Sequence, residues 1–178
     1  MTPILIQDYK SPVGELIVGS FNNQLVLCDW KYRKMRDSID SRIKNALDAQ
    51  YVEETCESNN IAVQQLQEYF SEKRSSFDLN IRLVGTDFQQ NVWHELLKIP
   101  YGKTDTYLDL SKKINNVKAI RAVASANGAN SLSIIVPCHR VIGSNQQLIG
   151  YAGGIAAKKK LLQLEKCEIF ANQLDLFS

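Results

Sequence analysis

The feature that most constrains this chain is the stretch of residues 134–143, Ile-Ile-Val-Pro-Cys-His-Arg-Val-Ile-Gly, where an apolar run leads directly into a cysteine beside a histidine. The β-branched residues 134–136 favour a buried strand. Because proline cannot donate to a strand ladder, we expect the strand to end at Pro137. Cys138 is then held at a fixed point just past the end of the strand.

Two residues that can carry positive charge, His139 and Arg140, follow Cys138. Positive charge near a thiol lowers its pKa, and the thiolate is the reactive form. The stretch therefore predicts an activated cysteine with a lowered pKa. The alternative is an inert buried cysteine, which is common in globular proteins. One Cys-His pair does not decide between the two.

Length and composition limit the class of protein. The 178 residues suit one domain or two small ones, and 44% hydrophobic with 22% charged residues is an ordinary globular composition. The four cysteines form no C-x-x-C pair, which argues against a zinc ribbon and a disulfide scaffold. There is no apolar run of membrane length and no secretory signal, and a reactive thiol needs a reducing compartment. We therefore expect a cytoplasmic protein without a membrane partner.

Charge is distributed unevenly along the chain. Residues 1–80 carry nine Lys/Arg against twelve Asp/Glu, a net charge of −3, and residues 81–178 carry twelve against seven, a net charge of +5. If the chain has a nucleic-acid surface, it is therefore expected in the second half. A surplus of five charges also fits an ordinary solvated surface, so composition alone does not establish DNA binding.

The first half predicts a small α/β unit. Residues 3–30 alternate between apolar and polar and contain turn signals, which favours a small antiparallel sheet. Apolar periodicity predicts helices over residues 38–51 and 59–74. A connector with one extended piece at residues 79–84 follows. We take residues 1–84 as an N-terminal supporting domain, in which no catalytic constellation is apparent.

The second half begins with a helix signal and continues with a pair of short helices. Thr86 and Gln89 fit a capping box, and the helix that they begin should end by Pro100. Two short helical patterns follow, over residues 105–114 and 117–127, with Asn-Asn between them. Helix, tight turn and helix is the geometry of a helix-turn-helix, although a plain helical hairpin has the same pattern.

The second of these helices has an unusual distribution of side chains. One face holds Val117, Ile120 and Ala124, and roughly opposite lie Ala119, Ala122 and Ala126, with Arg121 and Ser125 between the two faces. We expect the second set, a stripe of alanines, to face outward, so that the helix backbone can approach a narrow groove closely. Arg121 at its flank is then placed to insert into whatever occupies that groove.

Several motifs together resemble one family. Residues 137–141, Pro-Cys-His-Arg-Val, are similar to the active-site signature of the O6-alkylguanine-DNA alkyltransferases, also called methylated-DNA–protein-cysteine methyltransferases. The resemblance covers about residues 86–166, and its other motifs lie at residues 88–93, 99–102, 121–123 and 150–154. It implies a ribonuclease H-like α/β N-terminal domain without chemistry and a mainly helical, winged helix-turn-helix-like C-terminal domain over residues 85–170.

The resemblance also implies a reaction. The Cys138 sulfur accepts the alkyl group from O6-alkylguanine in double-stranded DNA, and from O4-alkylthymine, in a single turnover without a cofactor. The alkylated oxygen lies inside the duplex, so the nucleotide must be flipped out. Arg121 matches the arginine that enters from the minor groove and holds the place of the flipped nucleotide in the base stack. A monomer is expected. Some relatives hold a structural zinc in the N-terminal domain, but residues 1–84 contain no histidine, and we predict no metal.

Further residues match family positions. His139 and Glu165 match a Cys–water–His–Glu relay. Tyr107 matches a tyrosine that lies against the guanine and the turned-out phosphate, and Asn130 matches a hinge residue that braces the turn of Cys138. Tyr151 matches a residue of the pocket wall, and Lys158 matches a lysine near the pocket mouth. The carbonyls of Cys138 and Val141 are the implied acceptors for the guanine amino group, and Ser125 and Asn130 are expected to contact DNA. Without the resemblance, Glu165 and Lys158 fit solvated helix faces and Tyr107 a helix-face aromatic.

Two segments depart from the family pattern. Residues 127–131 read Asn-Gly-Ala-Asn-Ser where many bacterial relatives have Asn-Gly-Arg-Asn-Pro, so we expect a more flexible hinge and weaker phosphate contact. The tail, residues 171–178, contains Gln173, Leu174, Asp175, Leu176 and Phe177, which resemble the peptide that binds the bacterial sliding clamp. The alternative is that its apolar residues fold back on the domain.

Three other functions compete with alkyl transfer. A non-catalytic module that recognises alkyl lesions would lack the cysteine that is present here. A helix-turn-helix regulator with Cys138 as a sensor would need base-reading side chains, which the alanine-rich helix lacks. A cysteine hydrolase would need an oxyanion hole, for which no feature is apparent.

Overall fold

The N-terminal half is a four-stranded sheet with two helices. A computed structural model describes residues 1–170. The strands are β1 (Ile4–Ser11), β2 (Gly14–Phe21), β3 (Gln24–Trp30) and β4 (Tyr51–Glu53), in the order β3-β2-β1-β4. The first three pair antiparallel through short hairpins, and β4 runs parallel to β1. Asn22 and Asn23 both have positive φ, as a tight two-residue hairpin requires.

Helices α1 (Arg36–Leu47) and α2 (Glu57–Phe70) accompany the sheet. The buried face of α1 belongs to one apolar cluster with residues of β1 and β3, and α2 contributes Leu66 and Tyr69 to a larger one. Both helices start two residues before the predicted positions and end four residues before the predicted ends. Helix α1 ends where Asp48 adopts a left-handed conformation, a common way for a helix to stop.

The C-terminal half is mainly helical. Its helices are α3 (Asp87–Leu96), α4 (Tyr107–Lys113), α5 (Ile120–Gly128) and α6 (Ile155–Leu164), and a parallel pair of two-residue strands, β5 (Asp105–Thr106) and β6 (Val141–Ile142), lies among them. Thr86 and Gln89 form the predicted capping box. Helices α4 and α5 form the predicted helix-turn-helix. The mixed α/β fold class is therefore confirmed, with the sheet in the first half and most helices in the second.

The stretch before the cysteine is buried but is not a regular strand, so that prediction was wrong. Leu132 makes an isolated bridge with Cys28, Ser133 bridges to Val136, and a turn lies between them. Ile134 has φ of 73°, outside the strand region. The β-branched run therefore folds into a buried turn. Its neighbours pair with β3 at Cys28 on one side, and Ser133 pairs with Val136 across the turn on the other. Residues 79–84 likewise contribute an isolated bridge rather than a strand.

The face of α5 was also predicted wrongly. Val117 and Ile120 are 53% and 38% exposed, and Ala124 is exposed as well, whereas Val123 and Ala126 are buried. Residues 117–119 form a 3-10 turn, so the helix begins only at Ile120. Ala126 faces α3, where its carbonyl accepts a hydrogen bond of 2.8 Å from Trp93 Nε1.

The two halves share one continuous apolar core. Trp30 at the end of β3 packs edge-on against Tyr151, and a Cβ atom on Gly153 would lie only 2.4 Å from the Trp30 ring. The close packing of Trp30 on this position therefore requires a glycine. The boundary near residue 84 stays a prediction. Among residues 1–170, no helix is long and apolar enough to cross a membrane.

Candidate active site

Cys138 begins a 3-10 turn, Cys138–Arg140, directly after Pro137, and its side chain is buried at the base of a cavity. The Asn130 side-chain amide donates to Cys138 Sγ at 3.2 Å and to the Val136 carbonyl at 2.9 Å. The Asn130 oxygen accepts from the Leu132 amide at 2.9 Å. Asn130 thus holds the backbone before the cysteine and contacts the sulfur itself, and a hydrogen-bond donor at sulfur favours a thiolate.

The expected lowering of the cysteine pKa was wrong. Burial raises the pKa of the Cys138 thiol above its ordinary value of 9.0, and the hydrogen bond from Asn130 offsets this only in part. Burial also lowers the pKa of His139, against the opposing effect of Glu165. The resting site therefore pairs a neutral thiol with a neutral imidazole. A thiolate at this site therefore requires a proton transfer from Cys138.

His139 and Glu165 form a buried pair behind the cysteine. His139 Nε2 lies 2.7 Å from Glu165 Oε1, and both side chains are fully buried. Since the carboxylate only accepts, this contact assigns the imidazole proton to Nε2. His139 Nδ1 has no hydrogen-bond partner within the described part of the chain and is left as an acceptor.

Glu165 receives more hydrogen bonds than the relay alone requires. Arg140 binds it in a fork, with Nε to Oε2 at 2.8 Å and Nη2 to Oε1 at 3.0 Å. Tyr69 of α2 donates its hydroxyl to Oε1 at 2.7 Å, and the Gly102 amide donates to Oε2 at 3.3 Å. Burial by itself raises the pKa of this carboxyl, but the donors, His139 and Arg140 above all, hold it well below the usual range.

The cavity that reaches Cys138 has a volume of about 900 Å³. Four of the predicted site residues line it: Tyr107, Arg121, Cys138 and Tyr151. Its opposite wall is residues 32–35, between β3 and α1, which sequence reasoning assigned no role. A pocket of this size accommodates a ligand as large as a nucleobase.

Tyr107 and Lys158 both contact the loop that contains Tyr151. The Tyr107 hydroxyl donates to the Ile149 carbonyl at 3.2 Å, and burial raises its pKa to about 12. Lys158 is fully buried, and its Nζ donates to the carbonyls of Val141 at 2.5 Å, Ile149 at 3.0 Å and Gly150 at 3.2 Å. Burial lowers the Lys158 pKa to about 8. A solvated face therefore describes the exposed residues 159–160 and not Lys158.

The remaining predicted residues lie outside the cavity lining. Asn130 and Val141 are buried behind it, the Val141 carbonyl already accepts from Lys158, and Ser125 is exposed on α5. The hinge is not loose, contrary to expectation, because Arg33 and Arg42 bind its carbonyls. In residues 1–170, no group of three His, Cys, Asp or Glu side chains could hold a metal ion. The tail peptide, residues 173–177, lies outside the described residues.

Comparison with known proteins identifies the family. Residues 4–83 match the ribonuclease-like domain of 6-O-methylguanine DNA methyltransferase, and residues 87–167 match its DNA-binding domain. The chain belongs to this family.

Relatives in the methyltransferase family match nearly the whole chain. The methylated-DNA–protein-cysteine methyltransferase of Methanosarcina acetivorans is 40% identical over 158 residues, which is 88% of this chain and 95% of that protein. The enzyme of the same name from Mycobacterium leprae is 41% identical over 170 residues, 94% of each chain. The crystal structure of Mycobacterium tuberculosis OGT in complex with DNA is 39% identical, covers 91% of this chain and 92% of its own, and has a TM-score of 0.78.

Sequence reasoning missed two partners of Glu165. Arg140 belongs to the signature motif, but its role as the cationic partner of a carboxylate 25 residues away has no local signal. Tyr69 lies 96 residues from Glu165 and in the other half of the chain. In the sequence it is only one apolar position on the buried face of a helix. The hydrogen-bond network around Glu165 is thus completed by a residue of the N-terminal half.

Proposed function

We propose that this chain repairs DNA by moving the alkyl group of O6-alkylguanine, and of O4-alkylthymine, onto its own Cys138 in a single turnover. The observation that carries the proposal is the position of Cys138, at the base of a cavity of about 900 Å³ and beside the buried His139–Glu165 pair. A thiol at the end of a nucleobase-sized cavity, with a base beside it, suits nucleophilic attack on a group carried by that nucleobase.

The reaction balances without a cofactor. The Cys138 proton leaves toward His139 Nδ1 through a bridging water, and the sulfur bonds to the alkyl carbon as the bond from carbon to O6 breaks. The electron pair of that bond returns to the guanine ring, and ring nitrogen N1 takes up a proton from water, which balances the proton that Cys138 gives to His139. The products are an S-alkylcysteine and unmodified guanine. A thioether has no easy route back to the thiol, so each molecule acts once.

The relay residues supply what the buried thiol lacks. His139 receives the proton on Nδ1 and becomes a cation beside Glu165, whose negative charge stabilises it. The low pKa of Glu165 keeps its carboxylate ionised during this step, so the proton on Nε2 stays with the imidazole. The Tyr107 hydroxyl, at the cavity wall, turns from the Ile149 carbonyl and donates to the guanine as charge develops on the ring.

Arg121 is the residue that we expect to fill the gap left by a flipped nucleotide. It is exposed near the start of α5, on the face that the small residue Ala124 shares, and both line the cavity. The small side chain leaves the helix backbone accessible to the minor groove. Arg121 then fills the base stack while the damaged nucleotide occupies the cavity.

Arg121→Ala is expected to slow transfer from a duplex roughly 10- to 100-fold, since flipping a base costs a few kcal/mol. Transfer from the free O6-methylguanine base should be unchanged, because no flipping is needed. Intact-protein mass spectrometry over time measures both rates. Lys118→Ala, an exposed lysine just before α5 and outside the cavity, is the matched control and should change the duplex rate only a few-fold. An equal loss on both substrates would contradict the role of Arg121 in flipping.

The test of the function is intact-protein mass after incubation with a duplex containing one O6-methylguanine. We expect a gain of one methyl group per protein, complete at equimolar DNA, with the undamaged duplex giving none. Tight lesion binding without a mass change would instead favour the lesion-recognition module.

We also propose that the protein works as a cytoplasmic monomer and binds the bacterial sliding clamp through residues 173–177. Leu174, Leu176 and Phe177 supply apolar anchors, and Gln173 supplies a polar contact that orients the peptide. Deletion of residues 173–178 should reduce clamp affinity at least about tenfold in surface plasmon resonance, while methyl transfer to the protein is unchanged. Clamp binding that survives the deletion would exclude this peptide as the contact.

A further inference from the structure

The first part of the hinge between α5 and Cys138, residues 128–133, is bound to the N-terminal half. Arg33 Nη2 donates to the Gly128 carbonyl at 2.5 Å, and its Nη1 donates to the Asn130 carbonyl at 3.3 Å. Arg42 Nη2 donates to the carbonyl between them, that of Ala129, at 2.9 Å. Three consecutive hinge carbonyls are therefore held by two arginines that lie 87 to 97 residues earlier in the chain.

The backbone of β3 continues this set of contacts. The Cys28 amide donates to the Ser131 carbonyl at 2.8 Å, and the Ser133 amide donates to the Cys28 carbonyl at 2.7 Å. Ser133 Oγ also donates to Asp29 Oδ1 at 3.1 Å. The hinge is thus fixed from residue 128 to residue 133.

A buried carboxylate sets the geometry of Arg33. Asp29 is fully buried, and both of its oxygens lie 3.1 Å from Arg33 Nη1. Arg36 Nη1 donates to Asp29 Oδ2 at 3.0 Å. A guanidinium offers five N–H donors in a fixed plane, so Arg33 can bind the carboxylate and two carbonyls at once. Lysine has no such fork.

The hydrogen bonds from Arg33, Arg42 and β3 to residues 128–133 lead to Cys138. Arg33 binds the carbonyl of Asn130, and the side chain of the same residue donates to Cys138 Sγ at 3.2 Å. The Asn130 side chain has no freedom to compensate for a moved backbone, because it also bonds to Val136 and Leu132. A shift of the hinge therefore moves the donor at sulfur.

We propose that Arg33, supported by Arg42, is a positioning residue of the alkyl transfer: the N-terminal half holds the hinge so that Asn130 stays on the Cys138 sulfur. The proposal rests on the transfer function proposed above. It gives the N-terminal half a part in the chemistry, and it replaces locally the arginine and proline that this hinge lacks.

The charges around Cys138 fix the direction of the effect on its ionisation. The titratable and charged groups near it are Asp29, Arg33, Tyr107, His139, Arg140, Tyr151, Lys158 and Glu165. Burial raises the pKa of the thiol, the Asn130 hydrogen bond and the charges of Lys158 and Arg33 lower it, and Asp29 raises it. Loss of Arg33 removes its own positive charge and weakens the Asn130 hydrogen bond, both of which lower the pKa. It also removes a positive charge that offsets the negative charge of Asp29. The pKa of Cys138 should therefore rise further.

The experiment compares Arg33→Gln, Arg42→Gln and Arg36→Gln. Arg36 is the matched control: it pairs with the same Asp29 but, within residues 1–170, donates to no hinge carbonyl. The rate of methyl gain is measured against pH with a lesion duplex and with the free O6-methylguanine base. Iodoacetamide, which alkylates the thiolate by displacement of iodide, probes Cys138 without any repair activity.

For Arg33→Gln we expect an about tenfold slower reaction at neutral pH with both substrates and with iodoacetamide. The rate increases with pH as the thiol ionises, and this rising limb of the pH–rate profile should be displaced to higher pH by about one unit. Arg42→Gln, which does not line the cavity, should shift the limb in the same direction by less. Arg36→Gln should leave it in place. Because Arg33 and Asn130 act on the same contact, Arg33→Gln combined with Asn130→Ala should lose less than the product of the single effects.

Three results would overturn the proposal: an unmoved limb in Arg33→Gln, a loss confined to the duplex, or an equal shift in Arg36→Gln. The second would make Arg33 a DNA contact, and the third would make the effect one of general stability. If the wild-type protein gains no methyl group from either substrate, the transfer function fails. The pH dependence of the reaction of Cys138 with iodoacetamide then still tests the effect of Arg33 on the thiol by itself.

Discussion

Cys138→Ala should gain no methyl group from a duplex containing O6-methylguanine, while it still binds that duplex. The sulfur is the atom that forms the new bond, so its removal abolishes transfer instead of slowing it. The side chain is small and Asn130 keeps its bond to the Val136 carbonyl, so the fold should lose only about 1 kcal/mol of unfolding free energy. Intact mass, peptide mapping and a gel-shift titration measure transfer, its position and binding.

Cys28→Ala is the matched control for this prediction. Cys28 is a second buried cysteine, burial also raises its pKa strongly, and it lies outside the cavity. It should transfer as the wild type does. A methyl group found on Cys28, Cys56 or Cys167 of the Cys138→Ala variant would show that the nucleophile has been wrongly assigned.

Features set by neighbouring residues could be predicted from the sequence. The Thr86–Gln89 capping box needs only two side chains three residues apart, and the break between α4 and α5 follows from two adjacent asparagines. The fold class follows from the order of such local signals. The motif containing Cys138 and His139 is also local, since its residues are consecutive, and the amino-acid sequence alone is enough to locate it.

Features that depend on residues distant in the chain could not be predicted from the sequence. Whether Val117 or Val123 is buried depends on where α5 begins and on its contact with α3. The thiol pKa depends on how deeply the fold buries Cys138, and sequence neighbours predicted the opposite direction. The hinge was expected to be loose because its own residues lack support, and its support comes from β3, Arg33 and Arg42 instead.

Glu165→Gln should reduce both methyl transfer and stability more than any other conservative change in the relay. His139 loses the charge that stabilises its protonated form, and the transfer rate should fall roughly 10²- to 10⁴-fold. Arg140, which is buried, loses its counter-charge. Breaking a buried pair in this way costs about 3–5 kcal/mol, which lowers the Tm of a chain of this length by roughly 6–20 °C. Thermal denaturation and the kinetics of methyl gain measure the two effects separately.

Glu68→Gln is the control, since it also breaks one carboxylate–arginine pair. Glu68 and Arg74 are about 30% and 26% exposed, so solvent screens their charges, and loss of the pair should change neither the stability nor the transfer noticeably. Equal losses of stability in the two variants would contradict the importance of the buried network.

The pH dependence of stability gives an independent check on Glu165. Its pKa in the folded protein is depressed below the ordinary 4.5, so its stabilising effect is fully present above that pH and is lost as pH falls through the folded pKa. Glutamine does not titrate, so the variant lacks this loss. The difference in unfolding free energy between wild type and Glu165→Gln should therefore be constant near neutral pH and shrink below about pH 4.5. Urea denaturation across this range measures it, and a difference that does not shrink below about pH 4.5 would mean that Glu165 is not held ionised by its donors.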